Sequence, residues 1–346
     1  MFNKFIVNEN NTIREALVVL NNVSGEAQSL FIIDDKQQMV GSLSDGDIRR
    51  GIINGGNLED KVETIMHRDF KYLEETDYDV AHVKEFRERR IHFIPILDEG
   101  RHIIDVVNLQ KCKSRLPVDA VLMAGGKGER LRPLTEKTPK PLLEMNGKPI
   151  IDYILEHIIS YGIKNISVTV NYLKEQIEDH LASTFRGIQV KTVREPKFLG
   201  TIGGISYVND FHHDTVLLMN SDAITDINLE DFYLHFLENN ADMSVAAIPY
   251  IVSIPYGILN LDGKKVKSVL EKPTYSYYIN SGIYLIRRGL LSLIPQNEFF
   301  NATDFIELLI SKKYNVVRYP LNGTWIDIGN KEDYKKAKEF ISHLRW

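Results

Sequence analysis

The segment from residue 122 to residue 135, Leu-Met-Ala-Gly-Gly-Lys-Gly-Glu-Arg-Leu-Arg-Pro-Leu-Thr, constrains the fold of this chain more than any other feature. An apolar run at residues 120–123 predicts a short buried strand that leads into the glycines. The glycines, which let the backbone turn sharply and bring N–H groups close to an anion, are Gly125, Gly126 and Gly128. Three cations follow, Arg130, Arg132 and Lys140. Because such side chains bind phosphate oxygens, the segment predicts a phosphate-binding loop at the end of a strand.

Two common nucleotide-binding motifs are excluded by the spacing of these residues. A dinucleotide fingerprint needs a glycine at the position where Leu131 stands. A P-loop needs lysine and then serine or threonine around its last glycine, and this chain has Glu129 and Arg130 after Gly128. One alternative stays open on these residues alone, a tight strand-to-helix connection whose cations are only solvated.

Together with Pro139, Lys140 and Pro141, the segment resembles the signature of the sugar-1-phosphate nucleotidylyltransferases. The resemblance implies an α/β fold with a mixed, mainly parallel, Rossmann-like sheet of the GT-A type, flanked by helices. It also implies that Arg130 and Lys140 are catalytic. The nucleotide-binding residues that it implies in this segment are Leu122, Ala124, Gly125, Gly126 and Gly128.

Composition excludes several other classes of protein. The chain has 346 residues, enough for two domains, and its net charge of −5 argues against a dedicated nucleic-acid binder. Its one cysteine, Cys112, cannot form an internal disulfide, so we expect a reducing compartment. The sequence shows neither the apolar core of a signal peptide nor an apolar run long enough to span a membrane. We therefore expect a cytoplasmic protein that binds neither membranes nor nucleic acids.

Residues 1–115 contain a repeated pattern of helix and strands, with copies at about 1–56 and 62–113. The pattern resembles a tandem pair of CBS domains, α+β regulatory modules that often bind adenine nucleotides. The resemblance implies that Ser44 and Asp47 contact the phosphate and ribose of such a ligand. A second interpretation stays open, in which Ser44 caps a helix and Asp47 is an acid in its first turn.

The second copy departs from this pattern, because we expect Asp105 and Asn108 at the equivalent positions. An aspartate at that place would repel a phosphate, so we expect any ligand to use one site of the pair. CBS pairs commonly associate through their helices, which implies a homo-oligomer. A purely structural role in oligomerisation is the alternative to nucleotide sensing.

A polar linker at residues 109–118 precedes the catalytic domain, which we predict at 117–346. In that domain, β-branched runs alternate with segments of helical spacing. The predicted strands include 165–170, 189–193 and 215–219, and the predicted helices include 149–161, 173–183 and 229–238. This alternation is typical of an α/β fold with a mainly parallel sheet, in which ligands bind at the carboxyl ends of the strands.

Two aspartates stand where a predicted strand gives way to a loop, Asp222 and Asp327. Nucleotidyl transfer needs positive charge at the reacting phosphorus, and protein-bound Mg²⁺ usually takes one or two carboxylates together with phosphate oxygens and water. Each aspartate alone is also typical of a turn or a helix cap. Together with the signature, they match the metal pair of the family, which implies a Mg²⁺ site and a nucleotide contact at Asp222.

Two further segments carry the resemblance. In residues 194–204, Arg-Glu-Pro-Lys-Phe-Leu-Gly-Thr-Ile-Gly-Gly, we predict a helix start at Gly200 and Thr201 that a base or ribose can approach closely. The resemblance implies nucleotide contacts at Glu195, Gly200 and Thr201. It implies a catalytic phosphate contact at Lys272. The sugar-binding residues that it implies are Tyr256, Gly257, Glu271, Lys272 and Asn280.

These observations predict a Mg²⁺-dependent transfer of a nucleotidyl group from a nucleoside triphosphate to a sugar 1-phosphate, with release of pyrophosphate. The Leu-Gly-Thr-x-Gly element at 199–203 most resembles guanylyltransferases of bacterial surface-glycan pathways, including legionaminic acid synthesis, so we expect GTP. UTP, CTP and dTTP stay open as alternatives. From another class, a nucleotide-sensing regulatory protein without catalysis also stays open.

Overall fold

The computed structural model describes residues 2–25, 29–75 and 79–341. The chain divides into two compact units, residues 1–115 and 116–346. Met1 and residues 342–346, where two limits of the predicted domains fall, lie outside the described residues. Among the described residues, no helix is long and apolar enough to cross a membrane.

The first unit contains two three-stranded sheets with the same pairing pattern. Its strands are β1 (Ile6–Asn8), β2 (Ser29–Ile33), β3 (Met39–Ser44), β4 (Leu73–Glu74), β5 (Phe93–Leu97) and β6 (Ile103–Asn108). Its helices are α1 (Ile13–Asn22), α2 (Asp45–Ile53) and α3 (Val80–Glu88). In each sheet the first two strands are parallel and the third is antiparallel to the second. The predicted internal repeat is therefore visible in the strand pairing.

The two repeats contribute to one apolar core. Phe93 of the second repeat stacks on Phe31 of the first with ring centroids 5.4 Å apart, and its edge contacts Phe5 at 4.6 Å. Leu97 and Ile103 of the second repeat are buried in the same cluster. This cluster buries apolar side chains of both repeats together, which stabilises the unit as a pair.

The strand registers correct the predicted equivalence between the repeats. Ser44 ends β3 and Asn108 ends β6, and each lies opposite the first residue of the preceding strand. Asn108 therefore corresponds to Ser44, and not to Asp47. Asp105 lies three residues earlier, inside β6, and forms an ion pair with Arg115 at 3.2 Å. The error arose because the second repeat has no glycine to mark the register of its last strand.

The second unit contains most of the regular structure of the chain. Its strands are β7 (Val118–Ala124), β8 (Glu144–Met145), β9 (Lys148–Pro149), β10 (Ile166–Val170), β11 (Lys191–Arg194), β12 (Thr215–Asn220), β13 (Ala223–Thr225), β14 (Met243–Ser253), β15 (Ile258–Asp262), β16 (Lys265–Leu270), β17 (Thr274–Arg287), β18 (Val316–Pro320) and β19 (Trp325–Asp327). Its helices are α4 (Ile150–Ser160), α5 (Lys174–Leu181), α6 (Leu229–Glu238), α7 (Ala302–Ser311) and α8 (Lys331–Ile341).

Seven strands form one sheet in the order β11-β10-β7-β12-β17-β14-β18. Six of them point the same way, and β17 runs against its neighbours β12 and β14. The predicted mixed, mainly parallel sheet is confirmed. Central β7 is buried over six of its seven residues, as expected for a strand covered on both faces.

Two helices of this unit, α6 and α7, begin where the local sequence supplies a side-chain cap. Asn228 accepts hydrogen bonds from two N–H groups in the first turn of α6, and Asn301 with Asp304 forms a capping box at α7. The predicted helix at 229–238 coincides with α6, whereas the predictions at 149–161 and 173–183 extend one or two residues beyond α4 and α5.

Asp119, the second residue of β7, ties the start of this central strand to the loop before β12. Its fully buried carboxylate accepts hydrogen bonds from the His212 and His213 N–H groups at 2.7 and 2.8 Å. It also contacts the His213 ring at 2.8 Å and accepts from the Asn165 amide at 3.1 Å. Burial by itself would raise the pKa of Asp119, but the hydrogen bonds from His213, Asn165 and His212 outweigh burial and lower it.

We expect the substitution Asp119→Ala to lower the thermal unfolding midpoint by about 5 °C or more, because several buried donors lose their acceptor. Since the pKa of Asp119 is depressed in the folded state, its contribution is present at neutral pH and disappears as the pH falls through that pKa. The deficit of the variant should therefore shrink in acid. Asp214→Ala, at a side chain that is 91% exposed, serves as the control and should shift the midpoint little. Equal midpoints for the two variants would contradict this role of Asp119.

Candidate active site

A cavity of about 510 Å³ opens where β7, β11 and β12 end. The loops that follow these strands form its walls, at residues 124–131, 195–201 and 220–222. These strands point the same way, so their carboxyl ends meet at one edge of the sheet. The cavity therefore lies where a parallel sheet usually binds its ligand.

Ten of the predicted site residues line this cavity. They are Ala124, Gly125, Gly126, Gly128, Arg130, Lys140, Glu195, Gly200, Thr201 and Asp222. Leu122, by contrast, is fully buried within β7, between Val168 of β10 and Met219 of β12. Asp327 lies just behind the wall, since a Cβ at the lining residue Gly329 would come within 3.0 Å of its carboxylate.

Two of the three glycines of the signature, Gly125 and Gly128, are required by close neighbours. A Cβ at Gly125 would lie 2.5 Å from Oε1 of Glu195, which is closer than any side chain tolerates. Gly128 has φ of +62°, and a Cβ there would come within 3.0 Å of Thr135 and 3.3 Å of Lys140. Substitution at either position would displace a residue of the cavity or its support.

Two side chains hold the glycine-rich loop, residues 124–131, in place from outside the cavity. The Thr135 hydroxyl, fully buried, donates to the Gly128 carbonyl at 2.8 Å. The Tyr172 hydroxyl, at the end of β10, donates to the Thr135 carbonyl at 2.9 Å. The loop that carries Arg130 is thereby anchored to the neighbouring strand connection.

The two predicted metal ligands are adjacent. β13 and β19 are antiparallel neighbours that pair Ala223 with Asp327, and the Ile328 N–H donates to the Asp222 carbonyl at 3.1 Å. Burial raises the pKa of Asp327, the negative charge of Asp222 raises it further, and the charges of Lys140 and Arg130 offset part of this. Four charged side chains from distant parts of the sequence thus act on one another here.

The residues present fit a divalent cation. The Oδ1 atom of Asp222 is buried without a hydrogen-bond partner, while Oδ2 is paired with the ammonium group of Lys140. No cluster of three or more His, Cys, Asp or Glu side chains suited to a metal occurs among the described residues. An unpartnered oxygen of Asp222 next to a second carboxylate agrees with Mg²⁺, which takes few protein ligands and completes its octahedron with phosphate oxygens and water.

Glu195 directly follows β11, and it is a buried residue that lines the cavity. Its exposed fraction is 3%, and the Leu199 N–H donates to its Oε2 atom at 3.3 Å. Glycines on two sides, Gly125 and Gly204, leave space for its carboxyl group, and a Cβ at either would lie 2.5 Å from Oε1. Burial raises the pKa of Glu195 above its ordinary value, against the opposing hydrogen bonds from Leu199 and Thr169.

The predicted helix start at Gly200 and Thr201 is wrong. The chain makes a turn there, and a 3-10 helix of five residues begins at Gly203. The Thr201 hydroxyl instead accepts from the Ala302 N–H at 2.8 Å, in the first turn of α7. Gly200 has φ of +83°, and a Cβ there would lie 2.6 Å from the Phe300 carbonyl. The loop is therefore shaped by a segment about 100 residues away, which local sequence patterns do not reveal.

Several residues that line the cavity were not predicted from the sequence. Phe198 contributes an exposed ring, Asn220 and Ser221 precede Asp222, and Gly329 closes the wall near Asp327. The Ser221 hydroxyl donates to the Met123 carbonyl at 2.7 Å and joins the ends of β12 and β7. The strand-end position of Asn220 and Ser221 is a signal that sequence reasoning could have used, whereas Phe198 carries none.

The predicted sugar-binding residues lie on a separate feature. Beyond residue 247, β14 pairs with β17 alone among the strands, and these extensions with the hairpin β15–β16 form what we call the arm, residues 248–279. A Cβ at Gly257 would lie 3.0 Å from the Glu271 carboxylate, so these two residues are neighbours on the arm. Lys272 has φ of +45°, a strained conformation that recurs at functional sites.

The residues Tyr256, Gly257, Glu271 and Lys272 are exposed, and none of them lines the cavity. Asn280 follows the arm within β17, where its amide donates to the Tyr284 hydroxyl at 2.8 Å. Burial raises the pKa of Tyr284 to about 12. Four of the predicted sugar-binding residues thus lie on the arm, and Asn280 lies in the sheet. That these residues bind a sugar stays a prediction.

In the first unit, Ser44 and Asp47 form a capping box at α2. The Ser44 N–H donates to the Asp47 carboxylate at 2.8 Å, and the Asp47 N–H donates to the Ser44 hydroxyl at 3.2 Å. This arrangement agrees with the interpretation of these residues as helix caps. Binding of an adenine nucleotide there stays a prediction.

Comparison with known proteins gives a family match in each of the two units. Residues 119–343 match the family model of nucleotidyl transferases, and residues 1–54 match that of CBS domains. The chain is 31% identical to the mannose-1-phosphate guanylyltransferase of Mycobacterium tuberculosis over 229 residues, which are 64% of this chain and 63% of that protein. It is 28% identical to the UTP–glucose-1-phosphate uridylyltransferase of Synechocystis over 239 residues, which are 63% of this chain and 62% of that protein.

A crystal structure of a Bacillus anthracis protein, provisionally named a glucose-1-phosphate thymidylyltransferase and bound to a sucrose, shares the fold with a TM-score of 0.53 at 20% identity. The similarity covers 66% of this chain and 97% of that one. The chain matches less than two thirds of the length of the guanylyltransferase and the uridylyltransferase. The family match, which extends over 119–343, nevertheless spans more than half of this chain. The chain therefore belongs to the nucleotidyl transferase family and carries a CBS domain at residues 1–54.

Proposed function

We propose that this chain transfers the nucleotidyl group of GTP to a sugar 1-phosphate and releases pyrophosphate. The observation that carries the proposal is the cavity that brings together the glycine loop, Arg130, Lys140 and the carboxylate of Asp222. Backbone N–H groups that can bind an anion, together with cations next to a pair of carboxylates, suit a reaction between two phosphates. The family match supports the same chemistry.

Two cations of the cavity, Lys140 and Arg130, would offset phosphate charge in this reaction. Lys140 is held between the loop and Asp222, with 10% of its side chain exposed, so it presents a fixed positive charge. Arg130 lies near Gly329, is exposed, and lines the cavity. Both side chains balance the negative charge of the triphosphate as the bond to the α-phosphorus changes.

Mg²⁺ would be held by Asp222 and Asp327, where it would neutralise charge on the reacting phosphates. The residues of the chain need not supply a general base, because a phosphate monoester is already ionised near neutral pH. Their task is to orient the two substrates in line.

The preference for GTP is supported by Glu195. A carboxylate only accepts hydrogen bonds, and guanine presents two adjacent donors, the N1–H and the 2-amino group. Uracil and thymine present one donor flanked by two carbonyl oxygens, which a carboxylate repels. A buried carboxylate at the foot of the cavity therefore favours guanine over these bases. The sugar phosphate would be held by Glu271 and Lys272 of the arm.

The direct test is pyrophosphate release with Mg²⁺, measured for GTP, UTP, CTP, dTTP and ATP against a panel of sugar 1-phosphates. We expect turnover with GTP and at least one sugar. The proposed function would be contradicted if none of the triphosphates gave pyrophosphate release, either with the full chain or with residues 116–346 alone, which form a compact unit.

We expect Asp222→Asn to reduce kcat by about 100-fold or more, because the amide supplies a weaker ligand than the carboxylate and leaves Lys140 without its partner. The variant should keep the thermal unfolding midpoint of the parent within a few degrees. Asp214→Asn, at an exposed surface position, is the matched control and should retain full turnover. Turnover by Asp222→Asn at the parental rate would refute the assignment of Asp222.

We expect Glu195→Gln to lower kcat/KM for GTP by about 10- to 100-fold and to affect UTP much less, because charge-assisted hydrogen bonds to guanine are lost. The readout is the ratio of kcat/KM for the two triphosphates. Glu307→Gln, on the exposed surface of α7, should leave the ratio unchanged. An unchanged ratio in Glu195→Gln would show that another residue reads the base.

The same ratio should depend on pH. Since burial raises the pKa of Glu195, protonation begins at a pH above the ordinary range of a glutamate, and the protonated group no longer accepts both donors. The preference for GTP should therefore fall as the pH is lowered through that pKa. The ratio of kcat/KM for GTP and UTP removes the effect of groups whose titration alters turnover of both triphosphates. In Glu195→Gln the ratio should not change with pH.

A further inference from the structure

One side chain of the cavity is not explained by phosphate or metal chemistry. Phe198 is 43% exposed, and it is the exposed large apolar side chain among the residues that line the cavity, all of which the structure describes. The other lining residues are glycines, neutral polar residues, cations, carboxylates, and apolar residues that are small or at least partly buried. An exposed phenylalanine inside a polar cavity indicates a flat apolar ligand group.

A second ring supports Phe198 from outside the cavity. Phe299 contacts it with ring centroids 5.9 Å apart and an interplanar angle of 65°, the edge-to-face geometry that aromatic pairs prefer. Phe299 itself is 59% exposed. Two exposed rings in contact, from segments about 100 residues apart, form an aromatic pair, and Phe198 of this pair lines the cavity.

The backbone around this pair is held in place. The Phe300 N–H donates to the Leu199 carbonyl at 2.9 Å, and the Phe300 carbonyl accepts from the Ile202 and Gly203 N–H groups at 3.2 Å. Thr201 adds two hydrogen bonds, to Ala302 and Asn301. These bonds fix the backbone on both sides of the aromatic pair. The loop that carries Phe198 is therefore already ordered, and it loses little conformational entropy when a ligand binds.

We propose that Phe198, supported by Phe299, is the surface on which the base of the bound nucleotide stacks. The inference rests on the proposed function and adds a specificity-determining residue to it. Glu195 lies three residues before Phe198, and both line the cavity, so the carboxylate contacts the edge of the base while the ring covers its face. The base is the flat apolar part of a nucleoside triphosphate, and stacking increases with the size of its ring system. The aromatic pair therefore favours a purine and agrees with GTP.

The test measures binding to the full chain in the presence of Mg²⁺ and without a sugar 1-phosphate, so that no turnover occurs. Isothermal titration compares GTP with inorganic tripolyphosphate, which carries the phosphates and lacks the base. The variants are Phe198→Ala, Phe198→Tyr and Phe299→Ala. Ile310→Ala, an exposed apolar side chain on α7, is the control.

We expect Phe198→Ala to weaken GTP about tenfold or more, on the scale of a lost base–aromatic contact, and to leave tripolyphosphate unchanged. Phe198→Tyr should retain the affinity of the parent, Phe299→Ala should show a smaller loss for GTP, and Ile310→Ala should show none. Parental affinity of Phe198→Ala for GTP would overturn the inference, as would an equal loss for tripolyphosphate, which would indicate a distorted loop. If the parent binds GTP no better than tripolyphosphate, and none of the tested triphosphates supports pyrophosphate release, the proposed function itself is contradicted.

Discussion

The direction of the strands is the constraint on which the rest of the second unit, residues 116–346, depends. Six strands of the seven-stranded sheet run parallel, so the loops after β7, β11 and β12 leave the sheet at one edge. Residues separated by about 100 positions in sequence therefore become neighbours. Asp119 supports this arrangement from the opposite end, where its buried carboxylate joins β7 to the loop before β12.

Charge balance is the second constraint. Asp222 and Asp327 are brought together by the pairing of β13 with β19, and Lys140 and Arg130 offset part of the repulsion that Asp222 exerts on Asp327. The raised pKa of Asp327 shows that these cations compensate its environment only in part. In the proposed function, a divalent cation and phosphates would supply further partners for these charges.

Some of the site could be predicted from the sequence because local patterns report local chemistry. The glycine loop and Lys140 belong to one contiguous segment, and Asp222 follows an apolar run that could only be a buried strand. The helix start at Gly200 was wrong because the conformation of that loop depends on hydrogen bonds to Phe300 and Asn301. No local pattern in residues 194–204 contains that information.

The sequence by itself determined the repeat in the first unit, the alternation of strands and helices, and the segments that we propose to bind phosphate. These follow from the periodicity of apolar residues and from the few residue types that bind phosphate. Only the tertiary structure decided that Phe198 lines the cavity, that Leu122 is buried away from it, and that Lys272 lies on the arm. The physical reason is that the exposure and neighbours of a side chain are set by the packing of distant segments, which no local pattern records.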